Sequence, residues 1–123
     1  MNDLDAMASD LAAWGAVAVI EARGRRSGRP IRTPVGFIMD ADGSLLVAAS
    51  DDHTSWARNL LAEPHCRVAI GDMVGAYVAE LLDPAGHAAA VTALILRYGA
   101  PAERLGAGPA FRLRPYAGGE STA

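Results

Sequence analysis

The sequence predicts a mainly β, α+β chain: about six antiparallel strands forming a small barrel, with short flanking helices. Three observations carry this. Short apolar or alternating segments recur along the chain, turn-forming residues such as the Asp-Ala-Asp-Gly run at 40–43 join them as hairpins, and helical periods are brief. Strands joined mostly by hairpins argue against parallel crossovers. A barrel also removes the exposed edges that so small a sheet would present. An open α+β sandwich and a ferredoxin-like sheet are the alternatives.

The elements follow in order. Leu4, Met7, Leu11 and Trp14 recur at spacings of three and four, which predicts an amphipathic helix over residues 1–14, ended by Gly15. Residues 16–23 read as a strand, residues 24–30 as a turn rich in glycine and arginine, and residues 31–39 as the next strand. A hairpin turn at 40–43 returns the chain along residues 44–50. His53, Thr54 and Ser55 precede a short helix over 56–63, with hydroxyls placed to cap it and Pro64 placed to stop it. Residues 66–70 and 74–82 form a second hairpin around Gly71, Asp72 and Met73. Asp83 and Pro84 begin the longest helix as N-cap and first-turn proline, and Gly99 closes it after Tyr98. Residues 101–109 read as loop. Residues 110–114 alternate apolar and charged side chains as a last half-buried strand, and residues 117–123 as a frayed tail. No repeat or linker divides the chain, so residues 1–123 read as one domain.

At 123 residues, 51% of them hydrophobic, the chain can build one core. With 26 alanines and seven aromatic residues, small side chains must supply much of it. The longest apolar stretch, residues 88–96, is interrupted by Thr92 and is far short of the ~20 residues that cross a bilayer. The acidic start, Met1-Asn2-Asp3-Leu4-Asp5, lacks the basic and apolar run of a secretory signal. Cytosol is the expected compartment, consistent with a lone Cys66 that has no disulfide partner.

The charge is unevenly placed. All eleven basic residues are arginine, and five of them (Arg23, Arg25, Arg26, Arg29 and Arg32) fall within ten residues that contain no acid. That window carries +5 and the rest of the chain −8, for a net −3. Glycines at 24 and 28 let backbone amides converge there, while guanidiniums fork onto phosphate or carboxylate oxygens. An anionic ligand is the reading this pattern favours, against a merely solvated hairpin. Interleaved aromatics and a second basic face are missing, so no nucleic-acid partner is expected.

A second cluster runs from Ser50 to Asn59. Trp56 and Asn59, three apart on the short helix, present an aromatic plane beside an amide, which suits a ring-shaped ligand; a core anchor is the equally simple reading of Trp56. No nucleophile pattern, paired carboxylates or zinc framework is found, so no catalytic side chain and no metal are assigned. Ser27 and Ser50 lack a nucleophile elbow, and strand alternation points His65 and Cys66 to opposite faces. Chemistry here is expected from a bound cofactor.

Three blocks carry a resemblance: Gly24-Arg25-Arg26-Ser27-Gly28-Arg29-Pro30-Ile31-Arg32-Thr33-Pro34-Val35-Gly36-Phe37, then Leu46-Val47-Ala48-Ala49-Ser50, then Trp56-Ala57-Arg58-Asn59-Leu60-Leu61-Ala62-Glu63-Pro64. Their order and content resemble the deazaflavin-dependent nitroreductase family, also described as F-420H2-dependent quinone reductases, over about residues 15–82. The resemblance implies a split β-barrel that binds coenzyme F-420 and uses it to reduce an enone, quinone or nitroaromatic by hydride transfer. It implies that Arg25, Arg26 and Ser27 take the phosphate and oligoglutamate tail, with Gly28 and Arg32 also among the cofactor-binding residues. The backbone around Thr33, Pro34 and Val35, as far as Gly36, would face the ring, and Ser50, Trp56 and Asn59 would border ring and phosphate.

The sequence departs from the family pattern at Asp51-Asp52-His53, where relatives carry a lysine and a glycine pair, and at Glu63, where asparagine is usual. It also lacks a tyrosine-rich C-terminal stretch, leaving Tyr98 and Tyr116 as candidate covers. FMN is therefore the alternative cofactor, and a cofactor-free barrel that binds a small acidic natural product the alternative function. The expected partner is a small-molecule substrate, and a homodimer is compatible with an open groove that a second copy completes.

Overall fold

The computed structural model describes residues 17–99, 105 and 107–116. The helix expected at 1–14, most of the loop at 101–109 and the tail at 117–123 lie outside the described residues. Strand β1 (Ala18–Arg23) buries Ala18, Ile20 and Ala22 and turns Val19, Glu21 and Arg23 outward, the period-2 pattern of a strand with one covered face. It pairs antiparallel with β2 (Pro30–Val35) through the arginine turn, in the register Ala18↔Val35 to Arg23↔Pro30.

The single strand expected over residues 31–39 is instead two. β2 ends at Val35 and β3 is Ile38–Met39, with Gly36 and Phe37 between them. β4 (Leu45–Ala48), β5 (His65–Ile70), β6 (Met73–Leu81) and β7 (Ala110–Pro115) complete one seven-stranded sheet. Its order is β2-β1-β5-β6-β7-β4-β3, and every ladder is antiparallel. β2 and β3 are thus neighbours in sequence but opposite edges of the sheet. Val35 and Ile38 can be no more than about 11 Å apart, three Cα–Cα steps. The sheet must therefore curl until its edges nearly meet, joined by the chain rather than by a ladder. This is a split barrel, with seven strands where six were expected.

Inside the curl, Ile20, Leu45, Val47, Val68, Phe111 and Leu113 pack into one buried cluster. A second cluster lies outside the sheet. There Leu46, Ala48 and Ala110 meet Ala90 and Leu94 of a long helix, so β4 is buried on both faces. Alanines at 48, 90 and 110 let helix and sheet approach closely, and full burial of Leu94 contributes about 1.5–3 kcal/mol.

That helix, Pro84–Tyr98, is α2 in chain order, and its ends match expectation. Asp83 Oδ1 accepts the Gly86 N–H at 2.7 Å, Pro84 occupies the first turn, and Gly99 closes it at φ +78°. The short helix α1 (Ser55–Ala62) is capped differently from expectation. Thr54 is its N-cap residue but makes no side-chain bond to the helix. Instead Thr54 Oγ1 donates to Asp51 Oδ1 at 3.1 Å, and the same oxygen accepts the His53 N–H at 2.8 Å. No helix among the described residues is long and apolar enough to cross a membrane.

Candidate functional site

The arginine turn is built by its glycines. Gly24 N–H donates to Arg29 O and Gly28 N–H to Gly24 O, both at 2.8 Å. Gly28 sits at φ +72°, in the left-handed region that costs an L-residue about 1–2 kcal/mol. A Cβ on Gly24 would stand 2.7 Å from Ser27 Oγ and 2.8 Å from Ile31 Cδ1, so a side chain there would push those two side chains aside. Ser27 Oγ accepts the Arg29 N–H at 3.2 Å, which leaves its own O–H free to turn outward.

This turn is tied to α1 by one pair of residues. Asn59, with 1% of its surface exposed, accepts both the Arg25 N–H at 3.2 Å and Arg25 Nη1 at 2.7 Å on its Oδ1. The result is a cavity of about 330 Å³ walled by Gly24, Arg25, Arg26 and Ser27 on the turn, Ile31 on β2, and Ser55 with Asn59 on α1. Arg25, Arg26, Ser27 and Asn59, expected to act together, are brought together. Ser55 joins them, although the sequence presented it only as a cap. The signal was its spacing of four from Asn59, which sets both on one helix face. Arg26 and Arg29 have no ion-pair partner among the described residues. The donor set therefore suits a phosphate or carboxylate.

Other expected residues lie elsewhere. Trp56 is buried in the inner cluster, tilted 55° against Phe111 at 6.0 Å between ring centroids, and does not line the cavity. Of its two readings, the core anchor is the one its position matches. Gly28 faces a different groove, beside Arg23, Pro30 and His65. Arg32 points to the sheet's outer face, pairs with Glu21 at 2.9 Å, and lines a groove of about 550 Å³ with Arg67 and Val74. Thr33, Pro34 and Val35 lie on edge strand β2, whose unpaired side tolerates prolines at 30 and 34. Ser50 is exposed at the exit of β4 and does not line the cavity.

The two acids that break the family pattern have distinct settings. Asp51 is committed to the 51–54 turn, where backbone of Gly108 packs so closely that no Cβ fits there. Asp52 is exposed. No group of acidic, His or Cys side chains suited to a metal occurs among the described residues. Burial pushes the Cys66 thiol up to about 12, which removes it as a nucleophile near neutral pH. His65, exposed beside it, hydrogen-bonds Glu63 at 3.0 Å and so holds that carboxyl below its ordinary range.

Residues 5–101 match the family model described as F420H(2)-dependent quinone reductase. No curated protein matches the chain. Among solved structures, an F420-H2 dependent reductase, FDR-A, superposes with a TM-score of 0.68 at 22% identity, covering 80% of this chain and 94% of that one. The heme storage protein HutZ of Vibrio cholerae gives 0.70 at 19% identity, over 94% and 92%. A chain described as a domain-swapped dimer gives 0.67 at 18%, over 90% and 96%. These likenesses establish a shared split-barrel fold, and the family match, covering more than three quarters of the sequence, establishes the lineage. The chain belongs to the F420H(2)-dependent quinone reductase family and is a deazaflavin-dependent reductase.

Proposed function

We propose that the cavity between the arginine turn and α1 holds the phosphate and oligoglutamate part of F-420. Arg25, Arg26, Ser27, Ser55 and Asn59 are the residues that would hold it. The observation that carries this is the Asn59 clamp on Arg25: one guanidinium nitrogen and one backbone amide are fixed by a buried amide oxygen. Most of the five guanidinium N–H donors stay free to face an anion. The unpaired Arg26 and Arg29 add charge that no acid of the chain offsets among the described residues.

When bound, reduced F-420 supplies a hydride to an electron-poor acceptor, an enone, quinone or nitroaromatic. The chain's own part is to bind and orient. β2 runs from the turn at Pro30 to Val35, a rise of about 17 Å at 3.3–3.4 Å per residue, and so links the anion site to the backbone of residues 33–35. That backbone and Ser50 are the proposed ring-side contacts. Trp56 serves the site by anchoring α1 on Phe111, so that Ser55 and Asn59 stay aligned with the turn. The single cysteine without a disulfide partner fits a cytosolic enzyme, and the swapped dimer of a fold relative supports a homodimer.

The test is a fluorescence titration of the purified protein with F-420, run in parallel with FMN. Saturable F-420 binding that weakens with added salt and exceeds FMN binding is expected. No F-420 binding at low salt, or preferential binding of FMN, overturns the proposal.

A further inference from the structure

Phe37 stands where the two edges of the sheet are joined by chain alone, between the ends of β2 and β3. Its backbone partners come from the last turn of α2. Phe37 N–H donates to Tyr98 Oη at 3.0 Å, and its carbonyl accepts from Arg97 Nη1 at 2.9 Å and from the Tyr98 hydroxyl at 3.3 Å. The Arg97 guanidinium lies 4.5 Å from the Phe37 ring centroid and 5.1 Å from that of Tyr98. A Cβ on Gly36 would stand 3.0 Å from the Tyr98 ring. Phe37 itself is buried in the inner cluster. The corner is therefore held from inside by packing and from outside by a helix that rests on β4 and β7.

We infer that Arg97 and Tyr98 are positioning residues for the reduction. By fixing the Gly36–Phe37 corner they set the separation of the barrel's two edges, and with it the place of the β2 backbone at residues 33–35. This rests on the proposed ring-side role of that backbone. The anion site lies at the other end of β2, so the two ends are separable by experiment. Loosening the corner disturbs orientation at the ring end and leaves the arginine turn intact.

The experiment compares Arg97→Ala, Arg97→Lys and Tyr98→Phe with wild type by three readouts: amide exchange at residues 35–38, F-420 affinity by fluorescence, and kcat with a quinone at saturating cofactor. Exchange is expected to quicken about tenfold in Arg97→Ala, which loses one hydrogen bond to Phe37, and by at least as much in Tyr98→Phe, which loses two. F-420 affinity is expected to stay within about twofold, as for distant independent sites. The value of kcat is expected to fall about tenfold or more, as misplacement of reacting groups does, with partial recovery in Arg97→Lys. Unchanged kcat in folded Arg97→Ala and Tyr98→Phe overturns the inference. So does a parallel loss of affinity, kcat and thermal stability that Arg97→Lys does not relieve, since that is a structural role alone. A wild-type protein that fails to bind F-420 overturns the proposed function itself, a result distinct from wild-type binding and turnover with insensitive variants.

Discussion

Arg25 and Asn59, 34 residues apart, share a single oxygen: Asn59 Oδ1 accepts the Arg25 backbone N–H at 3.2 Å and its guanidinium at 2.7 Å. A buried amide thus holds the turn in shape and aims its charge. Asn59→Ala is expected to leave these donors without their partner and cost about 1–3 kcal/mol of stability, read from denaturant unfolding. F-420 affinity should fall in the same variant although the arginines remain. Full affinity in a folded Asn59→Ala protein would remove Asn59 from the site.

The glycines of the turn fail in different ways. Gly28→Ala has open space for its methyl group but must adopt φ +72°, so a loss of about 1–2 kcal/mol is expected, with F-420 binding largely retained. Gly24→Ala would thrust its Cβ at Ser27 and Ile31, two walls of the cavity, and should weaken binding more than Gly28→Ala does. Paired thermal melts and titrations separate strain from displacement, and equal losses of affinity would contradict this assignment.

Trp56 separates a structural contribution from a ligand contact. Packed on Phe111 in the inner cluster, it should cost about 3–5 kcal/mol of stability when changed to Ala, and much less when changed to Phe. Trp56→Phe is expected to keep F-420 affinity close to wild type. A stable Trp56→Phe protein that has lost binding would put the indole in contact with the ligand.

Cys66 should be inert in the folded protein. Its thiol is pushed up to about 12 by burial, whereas an unfolded cysteine titrates near 8.5, so the folded state holds its proton longer. The contribution to stability is complete below the unfolded value and is lost as pH rises from there toward the folded one. Thiol-reagent labelling at pH 8 should be slow in native protein and fast in denaturant. Rapid native labelling would show that the β5 face of the barrel is open there.

Much of this molecule is legible in its residues because the signals are local. Asp83, Pro84 and Gly99 mark the ends of α2, the Asp-Gly turn marks β3 and β4, and the run of arginines between glycines marks the anion site. What failed to read locally depends on distant packing. Residues 31–39 read as one strand although Gly36 interrupts it, and the Tyr98 ring against Gly36 and the Arg97 bond to Phe37 show why the chain turns a corner there. Ser55 looks like a cap, but Thr54 holds the N-cap position with its hydroxyl turned to Asp51, and Ser55 instead lines the cavity under the turn. Arg32 belongs by sequence to the cationic run, yet strand alternation carries it to the outer face beside Glu21.

The central claim is that the arginine turn, gripped by Asn59, binds the anionic end of F-420. Its most direct test is titration of F-420 into wild type and Arg25→Ala/Arg26→Ala at low and high salt. Loss of two charge-assisted contacts of about 1.5–3 kcal/mol each should weaken binding at least a hundredfold and flatten its salt dependence. Equal affinity and equal salt sensitivity in the two proteins would contradict the account.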